Sequence, residues 1–422
     1  MFQLAGPHMR GIGVLMVAAL VLAYVAGILA GSGNVDANGE LIGCDFVAFY
    51  GAGADLLAGR HDLLYDFDHQ RETHQAISRN AEWDFYYPYV NPPFYAGWFV
   101  PLAMLGYVPA FAVWATVSLT AMLLSVWLIG RDAGFDRKTM TTAMILAVAF
   151  PAAFMNLAGG QNGAFSLLLL TGCVLLQCRA RDWEAGMVLG FLLFKPQFVI
   201  TMAVLWLFKR QWRALAGLSF VGVILVLICF VCMPTAAVDY LGVSSRLHTL
   251  IHQGSYETWK QCSWYGFFTL SMYPQWPVLL RLLTGLAAVL TFVLLLVAWR
   301  SPSVPGDRRY KVQMAATIVA SVLISPHLYA YDLVVLILPG LLMAEHVLQT
   351  RERYAFSSTL VWPVLLFFSV PACLRIAELS SVQPAVLFIA AMLVVLVRMA
   401  SERSATESAV PAGANPALDP AG

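Results

Sequence analysis

An aspartate sits in the stretch "GCDFVAFYGAG" at residues 43–53, a dozen residues past an apolar run that fills most of the first thirty. Two roles are open to Asp45. It can cap the helix that begins "FVAFYGAGADLL", or its carboxylate can take up a proton at a membrane surface. Other side chains able to do chemistry stand at turns and proline breaks. They are Gln161 and Asn162 in "GGQNG" (159–163), Lys195 and Gln197 in "FKPQF" (194–198), Gln261 and Trp264 in "KQCSWYGF" (260–267), His327 and Asp332 in "SPHLYAYD" (325–332), and Arg375 with Glu378. Each also has a purely structural reading. Gln161 and Asn162 can satisfy orphan groups at helix ends, Lys195 can snorkel, and Arg375 with Glu378 can be a surface pair of small worth. Trp264 fits an interfacial aromatic belt. The functional reading gains weight if the chain carries all of them to one face.

The chain has 422 residues, 60% hydrophobic and 12% charged, with a mean hydropathy of +0.73. An ordinary soluble chain is about 25% charged, so most of this one belongs in lipid. A net charge of +1 offers no field for nucleic acid. Apolar stretches fall at 11–31, 95–129, 139–157, 163–178, 183–194, 196–208, 212–233, 277–299, 312–326, 329–348, 358–375 and 381–398. The first is too long for a signal-peptide core and reads as a retained span. Between the stretches lie basic clusters, from Arg10 through Arg131–Lys138, Arg179–Arg181, Lys209–Arg213, Arg300–Lys311 and Arg351–Arg353 to Arg398–Arg403; they hold 17 of the 25 basic residues. Setting all of them on the cytoplasmic side demands an even number of crossings between neighbours.

That demand makes 182–208, basic at both ends, a hairpin broken where Pro196 disfavours helix at Lys195. Each arm of about 12 residues then spans ~18 Å against a ~30 Å hydrocarbon core. Arms this short survive only where protein or a water-filled cavity surrounds their tip. "SPHLYAYD" repeats the pattern at Pro326. The expected fold is an all-α polytopic membrane protein with twelve crossings, both termini cytoplasmic and one transmembrane domain over 1–400. Its outer loops are 32–93, with ten acids against three basic residues, and 234–276; the Ser/Ala/Pro/Gly-rich tail 401–422 is expected to be disordered. In this layout every candidate above lies on the outer, extracytoplasmic face.

Seven cysteines show no paired metal spacing, the acids of 32–93 are scattered, and no metal or cofactor is expected. Cys44 and Cys262 both fall outside, so a disulfide between the two loops is open.

These residues resemble a known family. "DFVAFYGAGADLLAGRHDLLYD" (45–66) followed by "YPYVNPPFYAGWFVPLAML" (87–105) is similar to the opening of glycosyltransferase family 87, integral-membrane enzymes of the GT-C fold. The shared pattern runs through Asp45, Phe49, Tyr50, Gly59, Leu64, Tyr65, Pro92, Pro93 and Pro101. "GGQNGAF" resembles the family's Gln-x-Asn turn, although here Gln161 and Asn162 are adjacent. "KPQ", "KQCSWYG" and "SPHLYAYD" resemble its later segments, and the likeness spans about 45–345.

The resemblance implies a GT-C-like bundle that transfers a sugar, a hexose such as mannose, from a polyprenyl-phosphate donor to a lipid or glycan hydroxyl. The site would lie on the extracytoplasmic face of the inner membrane, and transfer would invert the anomeric centre. Asp45 would be the general base, kept ionised by its helix N-terminus. Lys195, His327 and Arg375 would hold the donor phosphate. Gln161, Asn162, Gln197, Gln261 and Trp264 would contact sugar or acceptor, with Asp332 either among them or orienting His327. A secondary transporter or flippase would need charges deep in the bundle or two related halves, and neither is visible; a non-catalytic scaffold is the third reading.

Overall fold

The structure, a computed structural model, describes residues 2–80, 82, 83, 85–250, 257–350 and 361–401. Among them it is helical throughout, with three isolated bridges and no strand. In its described residues each of the twelve apolar stretches is a helix or a broken helix. Six are individually long and apolar enough to cross a bilayer: His8–Leu29, Tyr107–Asp132, Trp212–Cys232, Pro277–Ala298, Ala330–Gln349 and Pro384–Ser401. The pair Arg137–Ala149 and Pro151–Ala158, bent by 59° at Pro151, makes a seventh. Gly163–Cys178 and Pro196–Phe208 are shorter apolar helices. Of the tail 401–422 only Ser401, the end of the last helix, lies within the described residues.

The centre of the bundle is the helix Arg308–Ile324, buried at every position from Tyr310 to Leu323. Asp307 caps it by accepting from Tyr310 N at 2.6 Å. Helices Pro196–Phe208, Pro277–Ala298, Ile337–Thr350 and Pro384–Ser401 pack around it. At its basic end Lys311 meets two carboxylates, Glu345 at 2.6 Å and Asp132 at 2.7 Å, and Arg179 stands 3.5 Å from Asp132. That network ties four helices together at one end.

Small residues let neighbouring helices come close. A Cβ on Gly186 would meet Ala214 O at 2.0 Å, and one on Gly217 would meet Trp183 O at 2.1 Å. The helices Asp182–Gly190 and Trp212–Cys232 therefore cross backbone to backbone, the close approach that small residues permit in lipid.

The two long segments 32–93 and 234–276 are folded pieces in their described residues. In the first, Asp66 caps the helix Phe67–Ser78 by accepting from Asp68 N and His69 N. Buried Asp55 is paired with Arg60 and hydrogen-bonded to His69, both at 2.9 Å. In the second, Ser263 caps the helix Trp264–Met272. The rings of Tyr65 and Tyr240, 5.8 Å apart, join the two loops.

Candidate active site

The helix Phe46–Leu57 is anchored by one ring. Phe46 is fully buried against Tyr107, Phe111 and Trp114, with centroids 5.8, 5.8 and 6.3 Å away. Its N–H donates to Gly159 O at 3.2 Å, and Trp114 Nε1 donates to Gly160 O at 2.8 Å. The "GGQNG" turn is thereby clamped onto the start of this helix. Gly160 has φ +66, and a Cβ there would meet Phe46 at 2.5 Å, so only glycine fits.

Asp45 occupies the N-cap position, yet its side chain makes no capping bond. It turns instead toward Gln161, which hydrogen-bonds its carboxylate, and toward Cys44 Sγ, 3.7 Å from Oδ2. The capping reading thus fails for the side chain. Burial pushes the carboxyl up to about 6, with Gln161 and the charge of Lys260 pulling the other way. Burial thus works against the ionised form that the helix terminus was expected to favour.

Both predicted breaks are present. Lys195 (φ −128, ψ 73) separates a short 3-10 turn, Phe191–Phe194, from the helix Pro196–Phe208. The chain breaks again after Ile324 and resumes as the 3-10 segment Ala330–Leu336. The two tips touch, since Gln197 Nε2 donates to His327 O at 3.3 Å. Cys262 N donates to Leu328 O at 2.8 Å, seating the 234–276 segment on the same tip.

These segments enclose a cavity of about 1130 Å³. Asp45, Gln161, Asn162, Lys195, Gln197, His327 and Asp332 all border it. Seven of the ten candidates therefore meet in one space, although they come from four separate stretches of chain.

Three do not. Gln261 is fully buried behind the cavity wall, its backbone bridged to Tyr329 and its Nε2 3.5 Å from Tyr329 Oη. Trp264 Nε1 donates to Thr291 at 2.9 Å, packing its helix onto Pro277–Ala298. Arg375 is exposed and paired with Glu378 at 2.6 Å, away from the cavity.

Asp332 also differs from expectation. One carboxylate oxygen pairs with Lys195 Nζ and the other accepts from Tyr329 N at 3.3 Å. Its oxygens thus position Lys195 and the Tyr329 backbone, in place of the expected orienting of His327. The imidazole of His327 packs edge-on to the Tyr329 ring at 5.0 Å, and burial lowers its pKa, favouring the neutral form. The thiols of Cys44 and Cys262 are both free, so the open disulfide is not formed. Among the described residues no group of His, Cys, Asp and Glu could hold a metal ion.

The cavity also has lining residues that sequence reasoning did not single out: Glu40, Tyr87, Glu257, Lys260, Tyr329 and Tyr331. Lys260 belongs to the quoted "KQCSWYGF" stretch. The 3-10 turn Thr258–Lys260 brings it to the cavity and leaves Gln261 behind.

The profile of glycosyltransferase family 87 matches residues 89–326 of the chain. The chain belongs to glycosyltransferase family 87. It is a multi-pass membrane glycosyltransferase, an enzyme that moves a sugar from a donor to an acceptor. The family 87 match takes in Gln161, Asn162, Lys195 and Gln197; Asp45, His327 and Asp332 lie beyond its ends. No curated protein and no solved structure matches the chain.

Proposed function

We propose that this glycosyltransferase takes its sugar from a polyprenyl-phosphate donor and delivers it, with inversion, to an acceptor hydroxyl on the extracytoplasmic face. One observation carries the reading: the carboxylate of Asp45 opens on the same cavity as the tips of both broken hairpins, with Lys195 and His327. Asp45 accepts the acceptor's proton as its oxygen attacks the anomeric carbon. The bond from that carbon to the phosphate oxygen breaks, and its electron pair leaves on a polyprenyl phosphate monoester.

The leaving phosphate needs donors and positive charge rather than a second acid. Lys195 gives one of its three N–H bonds to Asp332 and has two for the phosphate. His327 adds a ring N–H. Its backbone carbonyl is held by Gln197 at 3.3 Å and by Ser325 Oγ at 2.9 Å, so the imidazole starts from a fixed base. Arg375 drops out of the phosphate site because it faces away from the cavity. Gln161 holds the base, and Asn162 and Gln197 are left to meet sugar hydroxyls. The extracytoplasmic placement draws support from the charge pattern: Lys311, Arg179 and their neighbours gather at the other end of the bundle.

The test is transfer by purified protein in nanodiscs, given labelled polyprenyl-phosphate hexoses and extracted lipid or glycan acceptors. Wild type should transfer, and Asp45→Asn should bind donor without transferring. Transfer from a nucleotide sugar but from no lipid-linked donor overturns the donor class.

A further inference from the structure

The cavity has two chemically different ends. Lys195, His327 and Gln197 mark one. The other is walled by the first outer loop, with Glu40, Phe85, Tyr86 and Tyr87. Tyr87 Oη donates to Glu40 Oε2 at 2.5 Å, across 47 positions of sequence. The backbone under Glu40 is fixed by Asp36, whose Oδ1 accepts from Asn38 N at 2.8 Å and Glu40 N at 3.0 Å. A bridge between Val35 and Leu41 holds the same turn. Glu40 is therefore a placed carboxylate.

Charge around the cavity is unevenly spread. Five carboxylates line it (Asp36, Glu40, Asp45, Glu257 and Asp332) with Arg71, Lys195 and Lys260 as the basic residues beside His327. Lys195 pairs with Asp332 and Lys260 with Glu257. Three more carboxylates, Asp36, Glu40 and Asp45, line the cavity with Arg71, whose guanidinium lies 5.2 Å over the Tyr86 ring, and the charge of Lys260 also reaches Asp45. Glu40 is close enough to Asp45 that its charge adds to the upward push on the Asp45 carboxyl. This end is anionic and aromatic, next to the base.

We propose that Glu40 and Tyr87 form the acceptor subsite, and that it takes a neutral saccharide and rejects a phosphorylated one. A carboxylate accepts hydrogen bonds from sugar hydroxyls, and the tyrosine and phenylalanine faces cover the C–H face of a pyranose ring. A phosphate placed beside three carboxylates is repelled instead. Glu40 grips a hydroxyl of the acceptor ring, and so decides which other hydroxyl reaches Asp45. The saccharide can be the headgroup of a glycolipid or part of a free glycan; the recognised chemistry is the same polyol. This inference deepens the transfer reading above and rests on it for the role of Asp45.

The experiment begins with binding. Methyl α-glycosides of mannose, glucose and galactose, and their 6-phosphates, are titrated against the nanodisc protein by saturation-transfer NMR. At least one neutral glycoside should bind, its 6-phosphate at least tenfold more weakly. Glu40→Gln should weaken the neutral glycoside about tenfold. Tyr87→Phe, which deletes one oxygen and keeps the ring, should act in the same direction, and it decides the matter if Glu40→Gln does not fold. No neutral ligand bound by wild type, 6-phosphates bound as well, or both variants binding like wild type would each overturn the subsite.

Transfer assays then add a kinetic split. Glu40→Gln should raise the acceptor KM and leave the donor KM alone; a raised donor KM with an unchanged acceptor KM overturns the assignment. Faster transfer to octyl than to methyl glycosides points to a glycolipid, and the reverse to a free glycan; both uphold the subsite. If wild type binds glycosides but uses no lipid-linked donor, the donor reading fails while the subsite stands.

Discussion

Replacing Asp45 by Asn separates a base from a structural polar group by two readouts with opposite signs. Burial lifts the Asp45 carboxyl from 3.8 to about 6. At about 1.4 kcal/mol per pKa unit, keeping the charge in place above pH 6 costs the folded state at most about 3 kcal/mol. The sign follows from proton linkage. The folded pKa lies above the unfolded one, so the folded state binds the proton more tightly. The cost is therefore absent below the unfolded pKa, grows through the window between the two values, and is complete above about 6. Asparagine has the same shape without the charge. Asp45→Asn should gain stability near neutral pH, by up to about 3 kcal/mol, and lose that advantage as pH falls toward 4. Over the same comparison transfer should drop by about 10²–10⁴-fold, while donor binding persists. The assays are thermal unfolding followed by intrinsic fluorescence at neutral and acid pH, and transfer of a labelled hexose at saturating donor. An asparagine variant that transfers at the wild-type rate refutes the base. One that is less stable than wild type at every pH shows that the carboxylate is there for the fold.

The rate of transfer should fall as pH drops through about 6, with a slope of one proton, because only ionised Asp45 can take the acceptor's proton; a pH–rate profile of kcat/KM checks this. Lys311→Met strands Glu345 and Asp132 beside each other at the far end of the bundle. It should cost about 3–5 kcal/mol of stability, read as a lower unfolding midpoint with kcat unchanged in the folded fraction. Gly186→Leu drives a side chain into Ala214 O, which a Cβ alone would meet at 2.0 Å, and should abolish monodisperse protein in size-exclusion chromatography. Arg375→Ala removes an exposed pair outside the cavity; transfer and stability should stay at wild-type levels in the same assays.

The helices and their breaks were legible because lipid leaves a chain few choices. Basic clusters at both ends of 182–208 forced a hairpin, and Pro196 could only break it where the chain breaks, at Lys195. The same reasoning placed the second break beside His327. Twelve apolar stretches were counted and are helical where they are described, but length and composition alone qualify six or seven as full spans, and the two arms of the 182–208 hairpin are too short to count. Side-chain direction was harder to read. Asp45 stands where a cap would stand, and only the fold shows its carboxylate turned to Gln161. In "KQCSWYGF" the residue that faces the cavity is Lys260, because a 3-10 turn gives way at Gln261 to an extended bridge with Tyr329. No spacing rule gives that register. Asp332 pairs with Lys195 across 137 positions, and Glu40 with Tyr87 across 47. Contacts so distant in sequence carry no local signature.

The ion pair of Lys195 with Asp332 means that the enzyme carries its own stand-in for the leaving group. With no substrate present, the ammonium already has an anion beside it, so stray inorganic anions find little net attraction at that spot. For the polyprenyl-phosphate donor proposed above, the incoming phosphate must share or win the cation from a tethered rival, and the monoester product of that proposal, with its greater charge, competes better than the diester that preceded it. The pull on the phosphate therefore strengthens as the bond to the sugar breaks, and once product departs the carboxylate is at hand to reclaim the lysine.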